Sequence, residues 1–138
     1  PYGFNQSMIL ASLALAHSAL GGYLRKLERE LSCKVSVYVD DIIVSSKNQH
    51  LLNHSFEVLK ERADRSGFFL NLAKTQAPDR SITAFNIILE HQNLSITNKK
   101  MSEFLFAIAT TQCANRKEGI KNYIKTINYY QWSQIPQL

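Results

Sequence analysis

Val35-Ser36-Val37-Tyr38-Val39-Asp40-Asp41-Ile42-Ile43-Val44 sets two adjacent carboxylates inside an otherwise apolar run. β-branched and aromatic residues dominate both sides, which favours strands, and Asp40-Asp41 is the only turn the stretch offers. The expectation is two buried strands joined by an acidic turn. Burying one ionised carboxylate is costly, and two side by side are worse because each destabilises its neighbour's charged form. A cation therefore belongs beside them. Hard oxygen ligands with few other donors nearby suit Mg²⁺ or Mn²⁺ rather than zinc. A solvent-exposed Asp-Asp turn without metal is the competing reading.

Outward from this run, residues 5–31 carry Ile9, Leu13, Ala16, Leu20, Leu24, Leu27 and Leu31 at spacings of three to four. That pattern predicts one amphipathic helix, with Gly21-Gly22 as its weak point. Leu52, Phe56, Leu59 and Ala63 mark a second helix, which Ser66-Gly67 should end. Phe68-Phe69-Leu70-Asn71 reads as a short strand, and Gln76-Ala77-Pro78-Asp79 as a loop. A hairpin is expected from strands at 82–89 and 94–97, turned by Glu90-His91-Gln92-Asn93. Met101, Phe104, Leu105 and Ile108 fit a third helix, and Ile120, Tyr123, Ile124 and Ile127 a fourth, linked near Ala114-Asn115. The order predicts an α+β fold, an antiparallel sheet with helices on one face, followed by further helices.

The 138 residues, 45% hydrophobic and 20% charged, suffice for one compact core. No run of about 18 apolar residues suggests a spanning helix, and no signal-peptide pattern opens the chain. The expectation is a soluble, cytoplasmic protein with no membrane partner. Cys33 and Cys113 lack the spacing of a zinc site or a disulfide framework. His17, His50, His54 and His91 are dispersed. The net charge of +5 is concentrated towards the end, where residues 99–138 hold six basic side chains against two acidic ones. That excess suits a phosphate backbone, or equally a solvated helix face.

Three motifs together resemble a known family. Tyr38-Val39-Asp40-Asp41 resembles the YxDD signature of reverse transcriptases. Upstream, Pro1-Tyr2-Gly3-Phe4-Asn5-Gln6-Ser7 is similar to the segment that opens the long palm helix of those enzymes. Downstream, Gly67-Phe68-Phe69-Leu70-Asn71-Leu72-Ala73-Lys74-Thr75 is similar to their G-x-x-L-N-x-x-K-T element. The wording most resembles bacterial retron-like or defence-associated members. The resemblance implies a palm over residues 1–97 and a helical, thumb-like segment over 98–138.

It also implies an activity and its parts. The reaction is RNA-directed DNA synthesis: transfer of a deoxynucleoside triphosphate's α-phosphorus to a primer 3′-OH, with two metal ions clamping the attacking and leaving oxygens. Asp40 would ligate Mg²⁺ (or Mn²⁺) directly, with Asp41 assisting. Lys74 would stand near the leaving pyrophosphate; an ordinary surface lysine is the alternative. Gly3, Phe4 and Gln6 would line the nucleotide and template pocket, although they could equally be helix-start structure with Ser7 as cap. Tyr38 would sit beside the primer terminus, or else be a half-buried strand tyrosine. Residues 85–89 and 94–97 fall where the family has its primer-grip hairpin. Lys99, Lys100, Lys117 and Lys121 would follow the backbone of the RNA template and DNA primer.

Departures from the family pattern set further expectations. Tyr2 stands where many members have Gln, and Met8 where Pro often follows Ser. In the family another aspartate, on a strand before the Pro-x-Gly segment, completes the metal site. With the chain starting at Pro1, the expectation is a fragment without that strand or the fingers, inactive by itself. A non-catalytic palm-like module that binds nucleic acid is the alternative function. A sheet edge left open by an absent strand would permit a homo-oligomer.

Overall fold

The computed structural model describes residues 6–135. Helices and short antiparallel strands alternate in an α+β arrangement, as the sequence pattern predicts. The strands form two small sheets rather than one: a two-stranded hairpin and a three-stranded meander. The chain divides into two compact units, Pro1–Pro78 and Asp79–Leu138.

The first unit contains α1 (Ser7–Ala16), α2 (Ala19–Arg29), β1 (Lys34–Tyr38), β2 (Asp41–Ser45) and α3 (Gln49–Arg65). The helix expected over 5–31 is two helices, bent by 71° at His17-Ser18 and not at the glycines. Ser18 is the cause. Its backbone is extended, its Oγ accepts from the Gly21 N–H at 3.0 Å, and its hydroxyl donates to the Leu15 carbonyl at 2.7 Å. One side chain thus caps α2 and closes α1, offering the backbone an alternative to continued helix. Gly21 contributes by its missing side chain, since a Cβ there would overlap the Leu15 carbonyl oxygen, whose carbon stands 2.8 Å away. The glycine is what lets α1 turn closely onto α2.

Only the second half of the predicted apolar stripe is buried. Leu20, Leu24 and Leu27 of α2 form a core with Cys33 and Ala63, against which Val35, Ile42, Val44, Leu59 and Phe68 pack. α1 buries no residue, and Met8, Ile9, Leu10 and Leu13 are exposed. Its sequence, SMILASLALA, is apolar on almost every side, so it defines no single inward face. No single described helix is long and apolar enough to cross a membrane.

α3 begins at Asn48, whose side chain accepts from the Leu51 N–H at 3.0 Å. It ends as predicted at Ser66-Gly67. Gly67 has φ 71°, its N–H bonds to the Asp64 carbonyl at 2.9 Å, and Phe68 N–H reaches the Ala63 carbonyl at 2.9 Å. This is a Schellman closure, with Phe68 folded back onto the core. Ser66 Oγ also accepts from Leu20 N–H at 3.1 Å, joining the end of α3 to the start of α2. The strand expected at Phe68-Phe69-Leu70-Asn71 does not form. Phe68 is spent on the helix closure, and Phe69 is 99% exposed, with no neighbouring strand to pair with among the described residues.

The second unit contains β3 (Ile82–Ala84), β4 (Ile87–Glu90), β5 (Asn93–Ile96), α4 (Asn98–Thr110), α5 (Ala114–Ile127) and α6 (Tyr129–Ser133). The strand predicted over 82–89 is itself a hairpin. Phe85 and Asn86 have φ 54° and 62°, the positive pair of a two-residue type I′ turn, so three strands form where two were expected. The helix link falls at residues 111–113, with Ala114 already helical. α5 packs against both α4 and β5, and Ile96, Ile108 and Ile124 are fully buried.

The outer edge of β5 is closed by side chains. Gln131 accepts from the Ile96 N–H at 2.8 Å and donates to the Ile96 carbonyl at 3.0 Å. Asn128 donates to the Leu94 carbonyl at 2.7 Å while its Oδ1 caps α6 at the Gln131 N–H, 2.9 Å. Two carboxamides thereby satisfy the β5 groups that a further strand would have taken.

Candidate active site

The β1–β2 hairpin positions the acidic pair. Its register sets Val35 opposite Val44, Val37 opposite Ile42, and Tyr38 opposite Asp41. Val35, Val37, Ile42 and Val44 consequently share one face, of which Val35, Ile42 and Val44 pack against the core of α2 and α3 while Val37, nearer the tip, is exposed. Tyr38 and Asp41 lie together on the opposite face. The turn is Val39-Asp40, not the expected Asp40-Asp41: Asp40 sits in the turn and Asp41 opens β2. Val39 has φ 56°. A β-branched residue rarely adopts that conformation, and a two-residue hairpin turn needing positive φ first normally takes Gly. The tip stores backbone strain.

The expectation of buried carboxylates is corrected. Asp40 and Asp41 are both exposed, Tyr38 is 65% exposed, and one hairpin face alone contributes to the core. The hairpin tip reaches past the helices that cover its base, so the charges remain hydrated and need no neutralising neighbour to fold. Among the described residues no group of three or more His, Cys, Asp or Glu side chains is placed to share a metal ion. Two exposed hard-oxygen donors still suit Mg²⁺, which is commonly held by one or two carboxylates together with substrate phosphates and water.

Lys74 is exposed and makes no ion pair among the described residues. It projects from a closed turn built by Asn71. The Asn71 carbonyl accepts from Lys74 N–H, Thr75 N–H and Thr75 Oγ1, each at 2.9 Å, while its Oδ1 accepts from Ala73 N–H at 3.1 Å. The Asn and Thr of the N-x-x-K-T segment thus hold the lysine's backbone. The motif reading singles out the lysine and not these two, and the spacing of Asn71 and Thr75 about Lys74 is the only trace of their role in the sequence.

Gly3 and Phe4 lie outside the described residues. Gln6 is exposed and occupies the N-cap position of α1, accepting from Leu10 N–H through its carbonyl at 2.9 Å without a side-chain cap. Ser7 is the first residue of α1 and not its cap.

A family model described as Reverse transcriptase (RNA-dependent DNA polymerase) matches residues 1–105. The chain belongs to the reverse transcriptase family. The match spans all three motifs and the start of α4. Comparison with curated proteins and with solved structures returned no match. Reverse transcriptases join deoxynucleotides to a primer on a nucleic-acid template, so the reaction class follows from membership.

In the second unit of this reverse transcriptase chain, the basic residues differ in their surroundings. Lys99 is exposed, whereas Lys100 binds Glu103 at 2.9 Å and lies over the Phe104 ring at 5.0 Å. The hydrogen bond from Lys100, then its charge, holds the Glu103 carboxyl below its ordinary range. Lys117 and Lys121 are half-buried at i, i+4 on α5, neighbours on its surface. Lys125 stands 4.9 Å over Trp132, which contacts Tyr129.

Proposed function

We propose that the Tyr38–Asp41 tip carries the metal site of RNA-templated DNA synthesis, with Asp40 and Asp41 holding Mg²⁺ or Mn²⁺. The supporting observation is the pair of exposed carboxylates at the hairpin tip, Asp40 in the strained Val39-Asp40 turn and Asp41 opening β2. The bound metal would lower the charge barrier to in-line attack at the α-phosphorus. Tyr38, opposite Asp41 in the hairpin register, would meet the primer terminus. Lys74, on its Asn71-built turn, would stabilise charge on the departing pyrophosphate. Gly3, Phe4 and Gln6 would contact nucleotide and template. Lys99, Lys100, Lys117 and Lys121 would hold template and primer phosphates without reading sequence. Residues 1–97 then serve as palm and 98–138 as a thumb-like segment.

One observation favours a second reading, a nucleic-acid-binding module without chemistry: the two carboxylates are not joined by a third acidic group among the described residues. Two measurements separate the readings. Deoxynucleotide incorporation on primed RNA with Mg²⁺, lost in Asp40→Asn, supports catalysis. Mn²⁺ added with primer–template and nucleotide should broaden the amide resonances of residues 38–42. Salt-sensitive nucleic-acid binding with neither incorporation nor broadening supports the non-catalytic module.

A further inference from the structure

Between α2 and α3 lies a cleft of about 320 Å³, lined by Ala19, Gly22, Tyr23 and Lys26 on α2 and by Arg62 on α3. The α2 residues recur at i, i+3, i+4 and i+7, which makes them one face of that helix. Gly22 keeps the space open, since a Cβ there would meet only the Arg25 guanidinium, at 4.0 Å.

The charged lining is wholly positive. α3 carries three carboxylates: Glu57 is bound to Lys60 and Glu61 to Arg65, each at 2.7 Å, and Asp64 is exposed and does not line the cleft. Arg62 is left outside the ion pairs among the described residues. Its Nε is buried and finds no hydrogen-bond acceptor. A desolvated guanidinium N–H without a partner is costly, and guanidinium N–H groups have no use but donation. The cleft therefore sets Arg62, whose Nε–H lacks an acceptor beneath the surface, beside a second cation, Lys26, and beside Tyr23, whose hydroxyl donates to Ser55 Oγ at 3.5 Å.

We propose that this cleft binds a phosphate group. On binding, Arg62 would turn its guanidinium so that the Nε–H, which lacks an acceptor beneath the surface, and a terminal N–H form the parallel fork that phosphate oxygens accept. Lys26 adds the second positive charge that a phosphate dianion, unlike a carboxylate, requires. The volume is at the lower end of small-molecule sites, enough for the phosphate and part of its carrier. This site is separate from the acidic hairpin and uses none of its residues.

Proton–nitrogen NMR of the full chain tests the proposal, reading the Arg62 Nε–H and the Gly22 amide. Inorganic phosphate added at constant ionic strength should shift both along one saturating curve. Arg62→Gln and Lys26→Gln should each weaken binding by about tenfold or more. Gly22→Leu, which fills the cleft without changing charge, should also abolish it. A nucleoside monophosphate that binds more tightly than inorganic phosphate supports the site and identifies an organic monoester as its ligand; equal binding supports the site and identifies free phosphate. Acetate shifting both signals as phosphate does overturns the proposal, as does unchanged phosphate binding in Arg62→Gln. If that variant does not fold, Lys26→Gln, at an exposed side chain, carries the same decision.

Discussion

Gly21 and Gly22 are neighbours in sequence and should respond to alanine with opposite sign. Both lie inside α2, where replacing Gly by Ala gains about 0.5–1 kcal/mol from backbone entropy. At Gly22 nothing offsets that gain, because the nearest atom to the added Cβ is the end of a flexible arginine at 4.0 Å. Gly22→Ala should stabilise the chain by roughly 0.5–1 kcal/mol. At Gly21 the new methyl meets the Leu15 carbonyl, a backbone group that cannot rotate away. Overpacking of this kind costs about 1–3 kcal/mol, so Gly21→Ala should lose about 1–2 kcal/mol net after the helix gain. Urea denaturation followed by far-UV circular dichroism measures both. For a slope of about 2 kcal/mol per molar, the two midpoints should separate by roughly 1 M. Equal stabilisation by both substitutions would refute the close approach of α1 to α2 and with it the account of the bend.

Gln131→Leu removes both bonds to Ile96 and should cost about 1–3 kcal/mol, with Ile96 amide exchange accelerating more than that of residues paired within β4. Val39→Asn places a residue tolerant of positive φ at the hairpin tip and should stabilise by up to about 1 kcal/mol; a loss of stability would show that Val39 is not strained. Lys117→Gln and Lys121→Gln should each reduce the salt slope of primer–template binding by about one unit, with little change between sequences. The Glu103 carboxyl is held below its ordinary value, so the Lys100 contribution is complete above that ordinary value and is lost as pH falls through the depressed one. Titration of the Glu103 side-chain carbon should therefore show its midpoint rising in Lys100→Gln.

What can be read from the sequence is set by how local each signal is. The hairpin around the Asp pair, the apolar stripe of Leu20, Leu24 and Leu27, and the Ser66-Gly67 stop act over a few residues, and all three stand in the fold, the hairpin with its turn one residue earlier than expected. The depth of Asp40 and Asp41 is not legible. An apolar run looks alike whether both faces or one is covered, and here only Val35, Ile42 and Val44 pack towards the core. The bend at Ser18 escapes a reading by propensity because glycine signals weak helix more loudly than serine does, although serine supplies the competing hydrogen bonds. Phe85-Asn86 is hidden inside a β-prone run, since phenylalanine is an unusual residue at positive φ. The cleft beside Arg62 depends on which α3 carboxylates choose Lys60 and Arg65, a matter of rotamers that spacing alone leaves undecided.

The grip of Asn128 and Gln131 on β5 turns the length of α5 into a gauge. Each residue inserted in a helix rotates everything beyond it by about 100° and advances it by about 1.5 Å. One insertion within α5 would swing both carboxamides off the strand, even if every inserted side chain were harmless. An insertion among residues 111–113, which are not helical, can be absorbed before α5 begins. Tolerance to added length should therefore change abruptly at Ala114, with phase rather than chemistry as the selecting property.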